Sequence, residues 1–204
     1  MVARAAALDV RLAAYRASGK VVFAEPNYIA HTTAMPAPND GSYGSQWALP
    51  KINAVDGWSI FPGSYTSTGG VPVAVVDTGI AWTHPDLTGR IDTADGAGCV
   101  DSTDTCSGAN SSVDDNGHGT HVAGIVGAAT NNGVGVAGTA YSSPIIPVKV
   151  LNSSGSGTYA AITNGITWAA DHGARVSGMS RSRIFFRSVF LLRPRMSAAF
   201  GIDI

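Results

Sequence analysis

Two short segments of the chain carry residues that could do acid–base chemistry together. In VAVVDTG, Asp77 follows an apolar run, and in NGHGTHVAG, His118 and His121 are three residues apart. A buried carboxylate needs a cationic or hydrogen-bond-donating partner, and histidine is a natural one. If the acid accepts the imidazole Nδ1–H, it fixes the tautomer and leaves Nε2 free as a base. We therefore expect Asp77 to orient His118 as a general base.

Other interpretations of the same residues stay open at this point. A single Asp after an apolar run is most often a turn residue or a helix cap. The two histidines of HGTH lie on one face of a helix, which is also a spacing for metal ligands. The motif lacks the Glu of a zinc protease and has no obvious third ligand. Taken alone, His121 is predicted to be a structural histidine bonded within the helix packing.

The elements around these residues alternate between strands and helices. Continuous apolar runs predict strands covered on both faces, and small or amphipathic segments between them predict helices. This order indicates an α/β fold with a mostly parallel sheet flanked by helices in three layers. An acid at the carboxyl end of such a strand faces the crevice where α/β proteins bind ligands. The predicted strands are 71–77, 144–151 and 174–180, and the helices are 117–130 and 157–173.

The two ends of the chain differ from this pattern. Residues 3–18 predict a helix closed by Gly19, residues 20–26 a short strand, and residues 31–49 a linker. The last 24 residues, 181–204, hold five of the 13 Lys and Arg residues and a single acid. Two explanations remain for this segment. It is either a basic, partly apolar surface tail, or a foreign sequence such as a frameshift or a retained intron would produce.

Composition excludes several function classes. The net charge is −1, so nothing indicates nucleic acid or an anionic membrane as a partner. No apolar run approaches the length of a membrane-spanning helix. Charged residues interrupt the alanine-rich N-terminus, which therefore does not fit a secretory signal. The only cysteines, Cys99 and Cys106, flank a polar loop and predict either a local disulfide or two free thiols.

Taken together, VAVVDTGI and NGHGTHVAGIVGA resemble the subtilisin-like serine proteases, the subtilase family. Further similar segments follow in order from about Phe23 to Ser180, and the thermitase and proteinase K-like branches are the most similar. The resemblance implies an inhibitory-propeptide remnant in residues 1–33, ending near EPNYIA. It also implies the N-terminal part of the catalytic domain in residues 34–180, followed by the atypical tail. The other matching segments are PNDGSYGSQWALPKINAVDGW, HPDLTGR, TNNGVGVAGTA, VKVLNSSGSGTY and ITWAADHGARV.

The resemblance also implies the roles of particular residues. Asp77 matches the orienting acid and His118 the general base of an Asp–His–Ser triad. The segment Gly155, Ser156 and Gly157 matches the strand that pairs with an extended peptide substrate, and Tyr159 would border a side-chain pocket beside it. A structural calcium ion is implied as well. Its ligands would be the side-chain oxygens of Asp40, Asp86 and Asn132 and the carbonyl oxygens of Ala129, Val134 and Val136.

Two motifs of the family are missing from the 204 residues. These are the GTSMA-type segment with the serine nucleophile and the AGN-type segment with the oxyanion asparagine. We therefore expect a C-terminally truncated serine endopeptidase that is inactive as written. The resemblance implies a secreted monomer whose partners are polypeptide substrates and its own propeptide, although no signal peptide precedes it. The alternatives are a non-catalytic protein that binds a peptide or a protease through residues 20–31, and a metal-binding module built on the two histidines.

Overall fold

The computed structural model describes residues 2–21, 35–108, 111–179 and 188–191. The chain divides into two compact units, Met1–Thr33 and Ala34–Ile204. The first unit contains helix α1 (Val2–Ala17), followed by Gly19 in a left-handed conformation with φ of 67°. The predicted N-terminal helix and its closing glycine are thus confirmed. Most of the strand predicted at 20–26 lies outside the described residues.

The second unit alternates strands and helices in the predicted order. Before the first strand lie a single 3₁₀ turn and two short helices. The predicted strands and helices of the core are all present, with slightly narrower bounds. The elements are 3₁₀ turns at Tyr43–Ser45 and Pro85–Leu87, helices α2 (Ala48–Lys51), α3 (Ala54–Ile60), α4 (His118–Gly127) and α5 (Tyr159–Asp171), and strands β1 (Val73–Asp77), β2 (Ala97–Gly98), β3 (Ile145–Lys149), β4 (Val176–Met179) and β5 (Ser188–Leu191).

The strands form one sheet in the order β2-β3-β1-β4-β5. The first four run parallel, and β5 pairs antiparallel with β4. Helix α4 connects β1 to β3 on one side of β1, and α5 connects β3 to β4 across to its other side. The direction of the connections therefore reverses between β1 and β4, and ligands of open α/β sheets bind at such a reversal. Asp77 is the last residue of β1 and lies at this point.

The two faces of β1 pack into two different apolar layers. Val75 packs with Ile145 and with Ala123 of α4 on one face. Ala74 and Val76 pack on the other face with residues of α5 such as Ile162 and Ala169. Because every side chain of β1 is buried, the strand is one continuous apolar run up to Asp77. The α/β fold with a mostly parallel sheet between helical layers is confirmed.

Three short elements differ from the sequence prediction. The predicted linker 31–49 contains the 3₁₀ turn and the start of α2, and the segment between the predicted strand 71–77 and helix 117–130, where no strand was predicted, contains β2. Such elements are too short for hydrophobic periodicity to reveal them. Leu49 of α2 is held instead by packing against Trp58 and Tyr141. Among the described residues, no helix has both the length and the apolar character needed to span a membrane.

Candidate active site

Asp77 and His118 meet at the carboxyl end of β1. The Nδ1 atom of His118 lies 2.7 Å from Oδ1 of Asp77. The Asp77 side chain is fully buried, whereas 34% of the His118 side chain is exposed. The same carboxylate oxygen also accepts the backbone N–H of Thr78 at 2.7 Å. With Nδ1 directed at an acceptor-only carboxylate, Nε2 is the ring nitrogen left for proton transfer.

Two glycines allow the segments that carry these residues to approach each other. Gly119 follows His118 in α4, and a Cβ atom there would clash with the carbonyl oxygen of Gly79. Gly79 has a φ of 103°, and a Cβ there would lie 2.6 Å from the carbonyl oxygen of Ser112. A larger side chain at Gly119 would push α4 away from the end of β1, and one at Gly79 would push away the loop at Ser112 and Val113. The glycines of DTG and HGTH therefore set the distance between the acid and the histidine.

A second acidic residue, Asp114, connects the same two segments. Its Oδ1 accepts the Thr78 hydroxyl at 2.8 Å and the backbone N–H groups of Asn116 and Gly117 at 3.0 and 2.9 Å. Its Oδ2 accepts the backbone N–H and the hydroxyl of Thr120. Burial raises the pKa of Asp114, but the hydrogen bonds from Thr120, Gly117 and Asn116 outweigh it and lower the pKa to about 2. No pattern in the sequence singles out this residue.

A buried lysine lies beside the acid in the sheet. Lys149 is the β3 residue in register with Asp77, and its side chain is 8% exposed. The ammonium group donates to the carbonyl oxygens of Thr78 and Leu151 at 2.6 and 2.8 Å and to Asp115 at 2.6 Å. It therefore links β1, β3 and the loop before His118. This role was not predicted from the sequence, although a lysine within the apolar run PIIPVKVL is an unusual residue there.

The predicted substrate strand follows β3 and lies next to the loop before His118. Asn116 donates its side-chain N–H to the carbonyl oxygen of Ser153 at 2.8 Å, which joins the two loops. The backbone of Ser156 is occupied, because its carbonyl accepts from Asn152 and its N–H donates to the Asn152 side chain. Within the described part of the chain, the N–H and carbonyl of Gly157 have no hydrogen-bond partner. The Tyr159 side chain is 71% exposed.

The three segments proposed for calcium also come together. Asp40 accepts the backbone N–H groups of Asn131 and Asn132 at 2.8 and 3.3 Å. Asp86 accepts the Asn132 side-chain amide at 3.0 Å and the N–H of Val136 at 2.8 Å, and its own carbonyl accepts the N–H of Ala129. Both carboxylates are buried, and no Lys, Arg or His pairs with either among the described residues.

The remaining predicted residues have different outcomes. Cys99 and Cys106 form a disulfide. The side chain of His121 is exposed, so the prediction that it bonds within the helix packing is wrong. His118 and His121 lie three positions apart on α4, but only His118, in the first turn, points toward β1 and Asp77. In the described ranges no three His, Cys, Asp or Glu side chains are grouped to hold a metal ion.

Comparisons with known proteins identify the family of the chain. The sequence profile of the subtilase family matches residues 68–192, more than half of the chain and beyond Ser180. Thermitase of Thermoactinomyces vulgaris is 46% identical over 144 residues, which is 70% of this chain and 47% of that protein. The thermophilic serine proteinase of Bacillus sp. strain AK1 is 39% identical over 161 residues, 78% of this chain and 37% of that protein. The chain thus spans less than half the length of these curated relatives.

A solved structure gives a weaker match. The crystal structure of a cold-adapted subtilisin-like serine proteinase aligns with 54% of this chain and 35% of that chain. The sequence identity is 34% and the TM-score is 0.41.

Proposed function

Because the chain belongs to the subtilase family of serine proteases, we propose that Asp77 and His118 are the acid and the base of a subtilisin-type catalytic triad. The observation that carries this proposal is the 2.7 Å hydrogen bond between the buried carboxylate and Nδ1 of the half-exposed imidazole. In peptide hydrolysis, Nε2 of His118 would take the proton of a serine hydroxyl as it attacks the scissile carbonyl. It would then give that proton to the leaving amine. The reaction class is endopeptidase cleavage of polypeptides.

The nucleophile itself is not among these 204 residues, because the sequence contains no GTSMA-type segment. We propose that these residues by themselves do not hydrolyse peptides. Loss of the serine from such a triad lowers kcat by about 10⁶. The oxyanion asparagine is also missing, so the residual catalysis that an oxyanion hole would supply is lost as well.

Backbone groups beside His118 support an extended substrate. The N–H and carbonyl of Gly157 lack partners in the described ranges, while those of Ser156 are occupied. Only alternate residues of a strand pair with a given neighbour, so this pattern suits one added strand. The N–H of Gly155 already donates to the carbonyl of Asn152. We propose that Gly157 pairs with the peptide through both backbone groups and Gly155 through its carbonyl, that Ser156 keeps their loop in shape, and that Tyr159 borders a side-chain pocket.

The two buried carboxylates beside the Asn-rich loop support a structural calcium ion. Their negative charges are buried without a cationic partner in the described ranges, which is costly unless an ion neutralises them. Asp40, Asp86 and Asn132 would supply side-chain oxygens, and Ala129, Val134 and Val136 carbonyl oxygens, which are the hard ligands that calcium prefers. When bound, calcium would join the segment before α2 to the loop after α4. This role is structural and takes no part in proton transfer.

The disulfide supports an exported protein, because such bonds persist in oxidising compartments. We propose that the chain acts outside the cell as a monomer. We also propose that residues 1–33 are the remnant of its own inhibitory propeptide.

A chimaera tests the catalytic proposal. The segment of the Bacillus sp. strain AK1 proteinase that matches this chain is replaced by the corresponding residues of this chain, so the relative supplies the missing serine. We expect the chimaera to hydrolyse peptides, His118→Ala to lower kcat by about 10⁶, and Asp77→Asn to lower it by about 10⁴. His121→Ala is the matched control on the same helix and should keep the activity. Equal activity of folded His118→Ala and His121→Ala chimaeras would refute the assignment.

A further inference from the structure

We propose that Asp114 is the positioning residue of the Asp77–His118 pair, and this inference rests on the function proposed above. Asp114 touches neither the imidazole nor the orienting carboxylate. Its carboxylate accepts hydrogen bonds from Thr78, directly after the acid, and from Thr120, two residues after the histidine. The segment that carries Asp77 and the segment that carries His118 therefore both donate hydrogen bonds to the Asp114 side chain.

The two hydroxyl groups carry these connections further. The Thr78 hydroxyl donates to Asp114, and its oxygen accepts the backbone N–H of Gly119 at 2.9 Å. The Thr120 hydroxyl also donates to Asp114, and its oxygen accepts the N–H of Ala81 at 2.9 Å. One hydroxyl thus belongs to the β1 segment and binds α4, while the other belongs to α4 and binds the β1 segment.

Only an ionised carboxylate completes this arrangement. An ionised carboxylate is acceptor-only, so both hydroxyl hydrogens must point at Asp114 and both hydroxyl oxygens are left for the backbone N–H groups. An amide at this position has one acceptor oxygen and would direct its NH₂ group toward other donors. The hydroxyl on that side would then lose its orientation, and the backbone N–H groups that donate to the same atom, either that of Thr120 or those of Asn116 and Gly117, would lose their acceptor.

The carboxylate also suits the start of the ten-residue helix α4, which begins at His118. It accepts the N–H groups of Gly117 and Thr120, which have no partner within the helix. Its negative charge lies at the positive end of the helix dipole. Asp114 therefore fixes the first turn of α4, and with it the direction of the His118 ring.

The experiment uses the full 204-residue chain and the ¹⁵N chemical shifts of the His118 ring nitrogens, assigned by comparison with His118→Gln. In the unchanged protein, the hydrogen bond to Asp77 should hold one neutral tautomer, with the proton on Nδ1. In Asp114→Asn, tautomer averaging should shrink the difference between the two ring ¹⁵N shifts by about half or more. Asp101→Asn is the matched control, because Asp101 accepts three hydrogen bonds in its own loop but contacts neither segment.

A second pair of variants keeps the test decisive if Asp114→Asn does not fold. Thr78→Val removes the hydroxyl and should average the His118 tautomers, while Thr78→Ser restores the hydroxyl and should restore the shifts. Unchanged His118 shifts in folded Asp114→Asn or Thr78→Val would overturn the positioning role, as would an equal change in Asp101→Asn. If the unchanged protein itself lacks the Nδ1–H tautomer, the Asp77–His118 pairing fails, and the positioning role fails with it.

Discussion

A single methyl group added to α4 should either stabilise or destabilise the protein, depending on which glycine receives it. At Gly119, the added Cβ would clash with the carbonyl oxygen of Gly79 and lie 3.1 Å from the Thr78 hydroxyl. At Gly124, five residues later, the nearest atom would be a Val136 methyl at an ordinary 3.8 Å. The clash at Gly119 involves backbone, which cannot rotate away, so α4 must move.

The magnitudes follow from these distances. Replacing glycine by alanine within a helix stabilises it by up to about 1 kcal/mol. Overpacking a filled site costs about 1–3 kcal/mol or more. Gly124→Ala should therefore be neutral or stabilising. Because both variants gain the same helix propensity, Gly119→Ala should be less stable than Gly124→Ala by the overpacking cost, about 1–3 kcal/mol. For a unit of this size, that difference corresponds to about 2–12 °C in Tm.

Thermal unfolding followed by circular dichroism in one buffer compares the two variants with the unchanged protein. We expect the melting temperatures in the order Gly124→Ala, unchanged protein, Gly119→Ala. The His118 ring shifts should change in Gly119→Ala and stay constant in Gly124→Ala. Equal melting temperatures for the two variants would refute the idea that close backbone contact sets the distance between β1 and α4.

Three further predictions concern stability. Chelation of calcium should lower the Tm by about 5–10 °C, because an ion at about 100 times its Kd contributes about 2.7 kcal/mol of stability. Asp86→Asn should abolish this response, and the control Asp101→Asn should keep it. Identical melting with and without chelator would contradict the calcium site. The pKa of Asp114 lies at about 2, below its usual value near 4, so its contribution to the free energy of unfolding is present above pH 4 and is lost as the pH falls toward 2. After discounting for solvent screening, we expect this contribution to be about 1 kcal/mol. In denaturant unfolding, Asp114→Asn should therefore lose less stability over this pH range than the unchanged protein. The buried hydroxyl of Ser177 has no hydrogen-bond partner in the described part of the chain, so Ser177→Ala should raise the free energy of unfolding by about 1 kcal/mol. The control Thr130→Val removes a hydrogen-bonded hydroxyl and should lower the free energy of unfolding. A lower free energy of unfolding in Ser177→Ala would contradict this prediction.

The sequence predicts the pair Asp77–His118 because each residue has a local signal. Asp77 ends a continuous apolar run, and His118 lies between glycines at the start of a helix of small residues. The parallel sheet then follows from the alternation of runs and helices. The sheet and the position of Asp77 need only short-range patterns and the rule that acids at strand ends face the crevice. The choice of the Asp77–His118 pair over a helix cap or a metal site rests on the resemblance to the subtilase family.

The roles of the supporting residues have no such local signal, although a lysine within the apolar run of β3 is itself unusual. Asp114 appears in sequence as one of several polar loop residues, and its role depends on Thr78, 36 positions away. Lys149 is likewise defined by contacts with segments distant in sequence. His121 was predicted wrongly for the same reason, because helical spacing fixes its angle on α4 but not which side of α4 faces the sheet. Tertiary contacts decide all three, and no periodicity encodes them.

The tautomer of His118 in the unchanged protein and in Asp77→Asn tests the central claim most directly. The ¹⁵N shifts of the ring should show the proton on Nδ1 when Asp77 is present. They should show it on Nε2 in Asp77→Asn, because the asparagine amide would donate to Nδ1. The same tautomer in both proteins would contradict the claim that Asp77 orients His118 as the base of a catalytic triad.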